Sequence, residues 1–183
     1  ARKATDEMIA FIEEMRNKII EITGGRDDEG KLAGAKDYDA QMAYTLGPEG
    51  KKNGKAYELQ RKLNEYAEKM NSLHDSLGIG PLALDAKDIP IFANDREQKG
   101  KDFAFLNFDH TPTVACMAIL SQMESEVASV EARALEALAK EVGAEELRFD
   151  KVLAVVSAES RVVAAGTKYR AEMFLAASSS SAT

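Results

Sequence analysis

Apolar residues recur along the first part of this chain at alternating steps of four and three. Met8, Ile12, Met15, Ile19 and Ile22 form one such seam, which puts them on one helix face with charged residues opposite. The pattern predicts a helix with Thr5 as N-cap, Asp6 and Glu7 in its first turn, and a stop at Gly24-Gly25, where a left-handed residue can end it. A second seam, Leu59, Leu63, Tyr66, Met70, Leu73 and Leu77, predicts a helix from about Asn53 to Leu77. The third and longest runs through Cys116, Leu120, Met123, Val127, Val130, Ala134 and Ala137. Thr111-Pro112 should open that helix, with the Thr hydroxyl as cap and Pro at the first helical position. Gly143 should stop it after about Val142, giving a helix roughly 45 Å long.

Residues 26–36 read as loop, about 37–46 as a short helix and 47–54 as a break. Segment 78–108 has no sustained period and carries two prolines. It predicts a long connection with short elements, its Phe and Leu side chains pinned to the bundle. From Phe149 the period changes from 3.6 to 2. "FDKVLAVV" reads as one strand and 161–176 as another, with a bend or turn at Ala165-Gly166. Tyr169, Ala171, Met173 and Leu175 then share one face of the second strand. Such a two-strand edge should pack on the helices or on a neighbouring chain.

The expected fold class is therefore mainly α: an elongated bundle of amphipathic helices followed by a short C-terminal β segment. The change of period places a boundary near 145–150. Residues 1–147 read as a helical bundle domain and 148–183 as the first strands of a truncated β-sandwich domain. The chain opens on Ala rather than Met, so it is expected to be a piece of a longer protein.

Composition narrows the function. A net charge of −7 without a Lys/Arg cluster argues against nucleic acid as a partner, and the lack of Trp argues against a base-stacking platform. The single cysteine, Cys116, excludes an intrachain disulfide. No apolar run approaches the ~18 residues that span a bilayer, and no apolar segment follows the opening Ala-Arg-Lys as in a signal peptide.

Each stretch with possible chemistry has a simpler reading. "GPEGKKNGK" lacks the spacing of a phosphate-binding loop: Gly50 and Gly54 enclose three residues, Ala56 follows Lys55, and no strand precedes it. "GRDDEG" clusters acids without the alternating ligands of a calcium loop. His74 and His110 lie far apart with no cysteine beside them, whereas zinc needs three or four convergent ligands. Cys116 falls inside an apolar seam with no adjacent base, so it reads as a small core residue. Glu124, Glu126, Glu131, Arg133, Glu136 and Lys140 read as a solvated helix face, and Tyr57 and Tyr66 as side chains at the bundle edge. No catalytic, cofactor-binding or metal-binding residue is assigned, and no cofactor is called for.

The stretch "NFDHTPTVACMAILSQMESEVASVEARALEAL", continuing into "FDKVLAVVSAESRVVAAGTKYRAEMFLAA", resembles the GldM/PorM family of gliding motility and type IX secretion in Bacteroidota. Upstream, "IAFIEEMRNKIIEITGG" and "GPEGKKNGKAYELQRKLNEY" resemble that family's helical first domain. The resemblance covers most of the chain. It implies the periplasmic part of a single-pass inner-membrane protein, with a membrane-proximal helical domain followed by immunoglobulin-like domains. It also implies a parallel homodimer, and a membrane helix that joins a GldL/PorL-type partner in a proton-driven motor. The periplasmic arm would then pass motion or conformational change to outer-membrane-associated secretion components. The transmembrane helix is absent from this chain, and its β region stops after about two strands. The expected function is a non-enzymatic motor arm; the alternative is a periplasmic ligand-sensing helical bundle, which would need a polar pocket between helices.

Overall fold

The computed structural model describes residues 1–48, 51–74, 76–146, 151–158 and 171–178, with side chains described as far as Val142. The described chain is mainly helical: α1 (Arg2–Ile22), α2 (Asp39–Thr45), α3 (Lys55–Asn71), α4 (Pro90–Ala93), α5 (Phe103–Phe108) and α6 (Thr113–Glu146). It divides into two compact units, Ala1–Ala137 and Leu138–Thr183.

In the first unit the apolar seams of α1, α3 and α6 meet. Ile12, Met15 and Ile19 of α1, Leu59, Leu63 and Met70 of α3, and Leu120 and Val127 of α6 are all buried. Burying one such side chain contributes about 1.5–3 kcal/mol, so this shared core is the main source of stability. Two ties cross to α6: Arg16 of α1 pairs with Glu124, and Tyr66 Oη of α3 donates to the Val127 carbonyl at 3.0 Å.

Thr5 does not cap α1. The helix starts three residues earlier, and Thr5 faces inward with its hydroxyl 3.0 Å from Tyr66 Oη. That bond also moves Tyr66 from the expected bundle edge into the core, where it is 4% exposed. At the other end Gly24 (φ 100°) and Gly25 (φ 76°) take the left-handed turn, and the Gly25 N–H reaches the Ile20 carbonyl at 2.8 Å.

The α2–α3 break depends on close approach. A Cβ on Gly54, the N-cap of α3, would lie 2.2 Å from the Thr45 carbonyl oxygen, so only glycine fits.

α3 ends at Asn71, six residues short of the predicted Leu77. Polar side chains of α3 hold the chain as it returns. The Asn71 side-chain amide accepts from the Ile79 N–H (2.8 Å) and donates to the Ile79 carbonyl (2.7 Å). Asn64 does the same for Ala83, at 2.9 and 3.0 Å, and Gln60 donates to Asp85 at 3.0 Å. Spaced by four and seven, these residues share one helix face, and the two asparagines supply the backbone partners that a neighbouring strand would. The connection 78–102 is therefore laced to α3, with Ile79, Ala83 and Ala86 buried beneath it. Phe103 and Phe108 of α5 are pinned to the core as the sequence suggests, whereas Phe105 is exposed.

α6 starts at Thr113 and continues through Gly143 to Glu146, beyond the predicted stop. A glycine inside a helix costs only about 1 kcal/mol, and Ala144, Glu145 and Glu146 after it all favour helix. In the second unit, β1 (Lys151–Ala158) pairs antiparallel with β2 (Ala171–Ser178), Lys151 opposite Ser178 and Ala158 opposite Ala171. The expected bend at Ala165-Gly166 and the position of Tyr169 lie outside the described residues.

Candidate functional site

Two features could carry function: the corner between α5 and α6, and the part of α6 that lies in the first unit.

The corner is "NFDHTP", residues 107–112. Gln41 of α2, fully buried, donates through Nε2 to the Phe108 carbonyl (3.0 Å) and the Thr111 carbonyl (2.7 Å). His110 adopts φ 49°, its N–H points at Met42 Sδ (3.2 Å), and its ring meets Asp109 Oδ1 (2.7 Å) and the Tyr38 ring. Thr111 does not cap α6. Its hydroxyl donates backwards, to the Asn107 carbonyl at 3.0 Å. The first amides of α6 are instead satisfied by the loop that leads into α2: Thr113 N–H to the Asp37 carbonyl (2.9 Å) and Val114 N–H to the Ala35 carbonyl (3.1 Å). The Thr113 hydroxyl reaches the same Asp37 carbonyl at 2.8 Å.

α5 begins on Asp102, whose carboxylate caps Phe105 N–H (3.0 Å) and takes Lys52 Nζ (2.8 Å) and Tyr57 Oη (3.3 Å). Burial alone would raise the Asp102 carboxyl, but the Lys52 ammonium and the Phe105 amide outweigh it and hold it below its ordinary value.

α6 carries two heptad lines. The inward one, Cys116 to Ala134, is buried, with Ala137 partly so. The outward one, Val114 to Val142, is exposed and uncharged. The charged residues named from the sequence lie between the two lines and serve several ends. Glu124 pairs with Arg16, Glu126 accepts from Gln122 (3.1 Å), and Arg133 donates to the Leu77 carbonyl (3.1 Å). Glu131 keeps one buried oxygen without a hydrogen bond.

The remaining candidates are occupied locally. Lys52 and Lys55 of the glycine-rich stretch engage Asp102 and Glu58, and Lys55 also lies over the Phe11 ring. Asp27 of the acidic loop accepts from the Glu29 and Lys31 amides, folding the loop on itself. Of the histidines, His74 meets Ser76 and His110 meets Asp109. Burial pushes the Cys116 thiol up to about 12, far from nucleophilic at neutral pH. Among the described residues no group of three or more His, Cys, Asp or Glu could hold a metal, and no helix is long and apolar enough to cross a membrane.

The sequence reading missed Gln41, Asn64 and Asn71. A buried amide at Gln41 gives no periodic signal, but asparagines seven apart on one face of a predicted helix were visible.

The GldM N-terminal domain family matches residues 1–141, and the GldM second domain family matches 143–183. The chain belongs to the GldM family. That membership makes it a component of gliding-motility and type IX secretion machinery, in a family that is membrane-anchored and periplasmic. No curated protein matches the chain closely.

Proposed function

We propose that this part of the GldM-family protein is a non-enzymatic periplasmic arm. It carries motion or conformational change from a proton-driven inner-membrane motor, built with a GldL/PorL-type partner, towards outer-membrane-associated secretion components. In this reading residues 1–147 form the membrane-proximal bundle, and 148–183 are the first strands of an immunoglobulin-like domain. The arm works as a homodimer. The observation that carries the reading is α6 within the first unit: from Thr113 to Ala137 it is helix throughout, tied at its first turn to the 35–37 loop and buried along one line. A helix packed along one side and anchored at its start is a stiff strut. The test is a flexible Gly-Ser segment inserted after Ala137 in the full-length protein in its own cell. Gliding and secretion should be lost while the protein still accumulates; undiminished secretion would overturn the arm.

A further inference from the structure

We propose that a cleft between α1 and α3 binds a short-chain dicarboxylate. The cleft holds about 140 Å³. Its floor is apolar and buried: Ala4 and Met8 of α1 and the Tyr66 ring of α3. The Tyr66 hydroxyl is already engaged by Thr5 and the Val127 carbonyl, so Tyr66 offers the cleft apolar surface.

The walls carry charge, and the charges are unevenly matched. Each carboxylate has a cation of its own outside the cleft: Glu7 lies 4.0 Å from Lys3, and Glu65 takes Arg61 at 2.9 Å. The two lysines of the lining, Lys62 and Lys69, have no carboxylate within 4.0 Å among the described residues. The Lys62 ammonium lies instead over the Phe11 ring, 4.8 Å from its centre, which steadies that side chain. Four cations therefore stand against two carboxylates here, in a chain whose net charge is −7. A surplus of positive charge at a concave site draws in an anion.

The spacing selects which anion. Lys62 and Lys69 are seven residues apart, so they share one side of α3 about 10 Å apart along its axis, with Tyr66 between them. A ligand that answers both needs a negative group at each end and an apolar middle over Met8 and Tyr66. That is an α,ω-dicarboxylate. Its chain is short, because the cleft is far below the roughly 300 Å³ at which drug-sized pockets begin. Inorganic phosphate gathers its charge at one point and leaves the floor bare. The site does not depend on whether the arm carries motion, and the insertion after Ala137 does not touch it.

The probe is succinate, titrated at constant ionic strength into the isotope-labelled 183-residue chain and followed by amide chemical shifts. Amides of residues 4–8 and 62–69 should shift and saturate, with a dissociation constant of about 1 mM. Acetate and inorganic phosphate should each bind at least about tenfold more weakly. Lys62→Gln with Lys69→Gln should lower succinate affinity at least about tenfold, with the rest of the spectrum in place. Lys99→Gln, at an exposed lysine outside the cleft, should leave the affinity unchanged. Equal affinity for succinate, acetate and phosphate would reduce the cleft to a general anion patch and overturn the dicarboxylate. Affinity undiminished in the double variant would move the site elsewhere and overturn this one. The absence of any saturating shift up to about 50 mM would overturn binding outright.

Discussion

α1 and α6 both bury an apolar heptad seam in the same core, yet their outer faces differ. That of α1 is charged: Lys18 pairs with Glu21, and Glu13 and Glu14 face solvent. That of α6 is small and uncharged, with its charges on the flanks. A helix whose only task is to complete a bundle needs one apolar face. The second line on α6 is one that the buried seam does not use, and the contrast separates what stabilises the fold from what the fold leaves exposed.

The largest effect should come from cutting the two sides of α6 separately. Leu120→Ala on the inward seam should cost about 2–5 kcal/mol in urea unfolding of the chain. Leu135→Ala on the outward line should stay within about 0.5 kcal/mol. Similar losses from both would mean that the outward line is covered within the monomer. Next comes the corner that fixes where α6 begins. Gln41→Leu leaves the Phe108 and Thr111 carbonyls without their donor and should cost about 1–3 kcal/mol, whereas Glu13→Gln on α1 should be nearly neutral by the same measurement. The smallest effect is electrostatic. The Asp102 carboxyl is held below its ordinary value in the folded chain. Its contribution is thus fully present above the usual carboxylate range, about 3.9, and is lost as pH falls through the depressed value. The urea midpoint of the wild type should exceed that of Asp102→Asn at pH near neutrality, and the gap should close in acid.

Helical periodicity located every seam of the core, because burial of a helix face is a repeating property that short-range spacing records. The same patterns missed the ends. Thr5 and Thr111 have the right residue type for a cap, but Thr5 was claimed by Tyr66 and Thr111 by Asn107. Tyr66 lies 61 positions along the chain from Thr5, a distance that local spacing cannot see. The premature end of α3 has the same origin, since Leu73 and Leu77 continue the heptad while Asn71 has already captured Ile79. The outward line of α6 was legible as Ala and Ser at heptad steps, yet it stayed hidden behind the stronger inward seam. The absence of a reaction centre is an expectation from residue types alone.

The two loop carbonyls that receive the first amides of α6 have a consequence for how this helix opens. Amides at a helix start ordinarily exchange their protons with water almost freely. Those of Thr113 and Val114 are spoken for by Asp37 and Ala35. Deuterium should therefore enter them only when the 35–37 segment lifts away as well. The loop and the head of the helix then share one exchange clock, and opening at that end of α6 cannot begin as simple fraying.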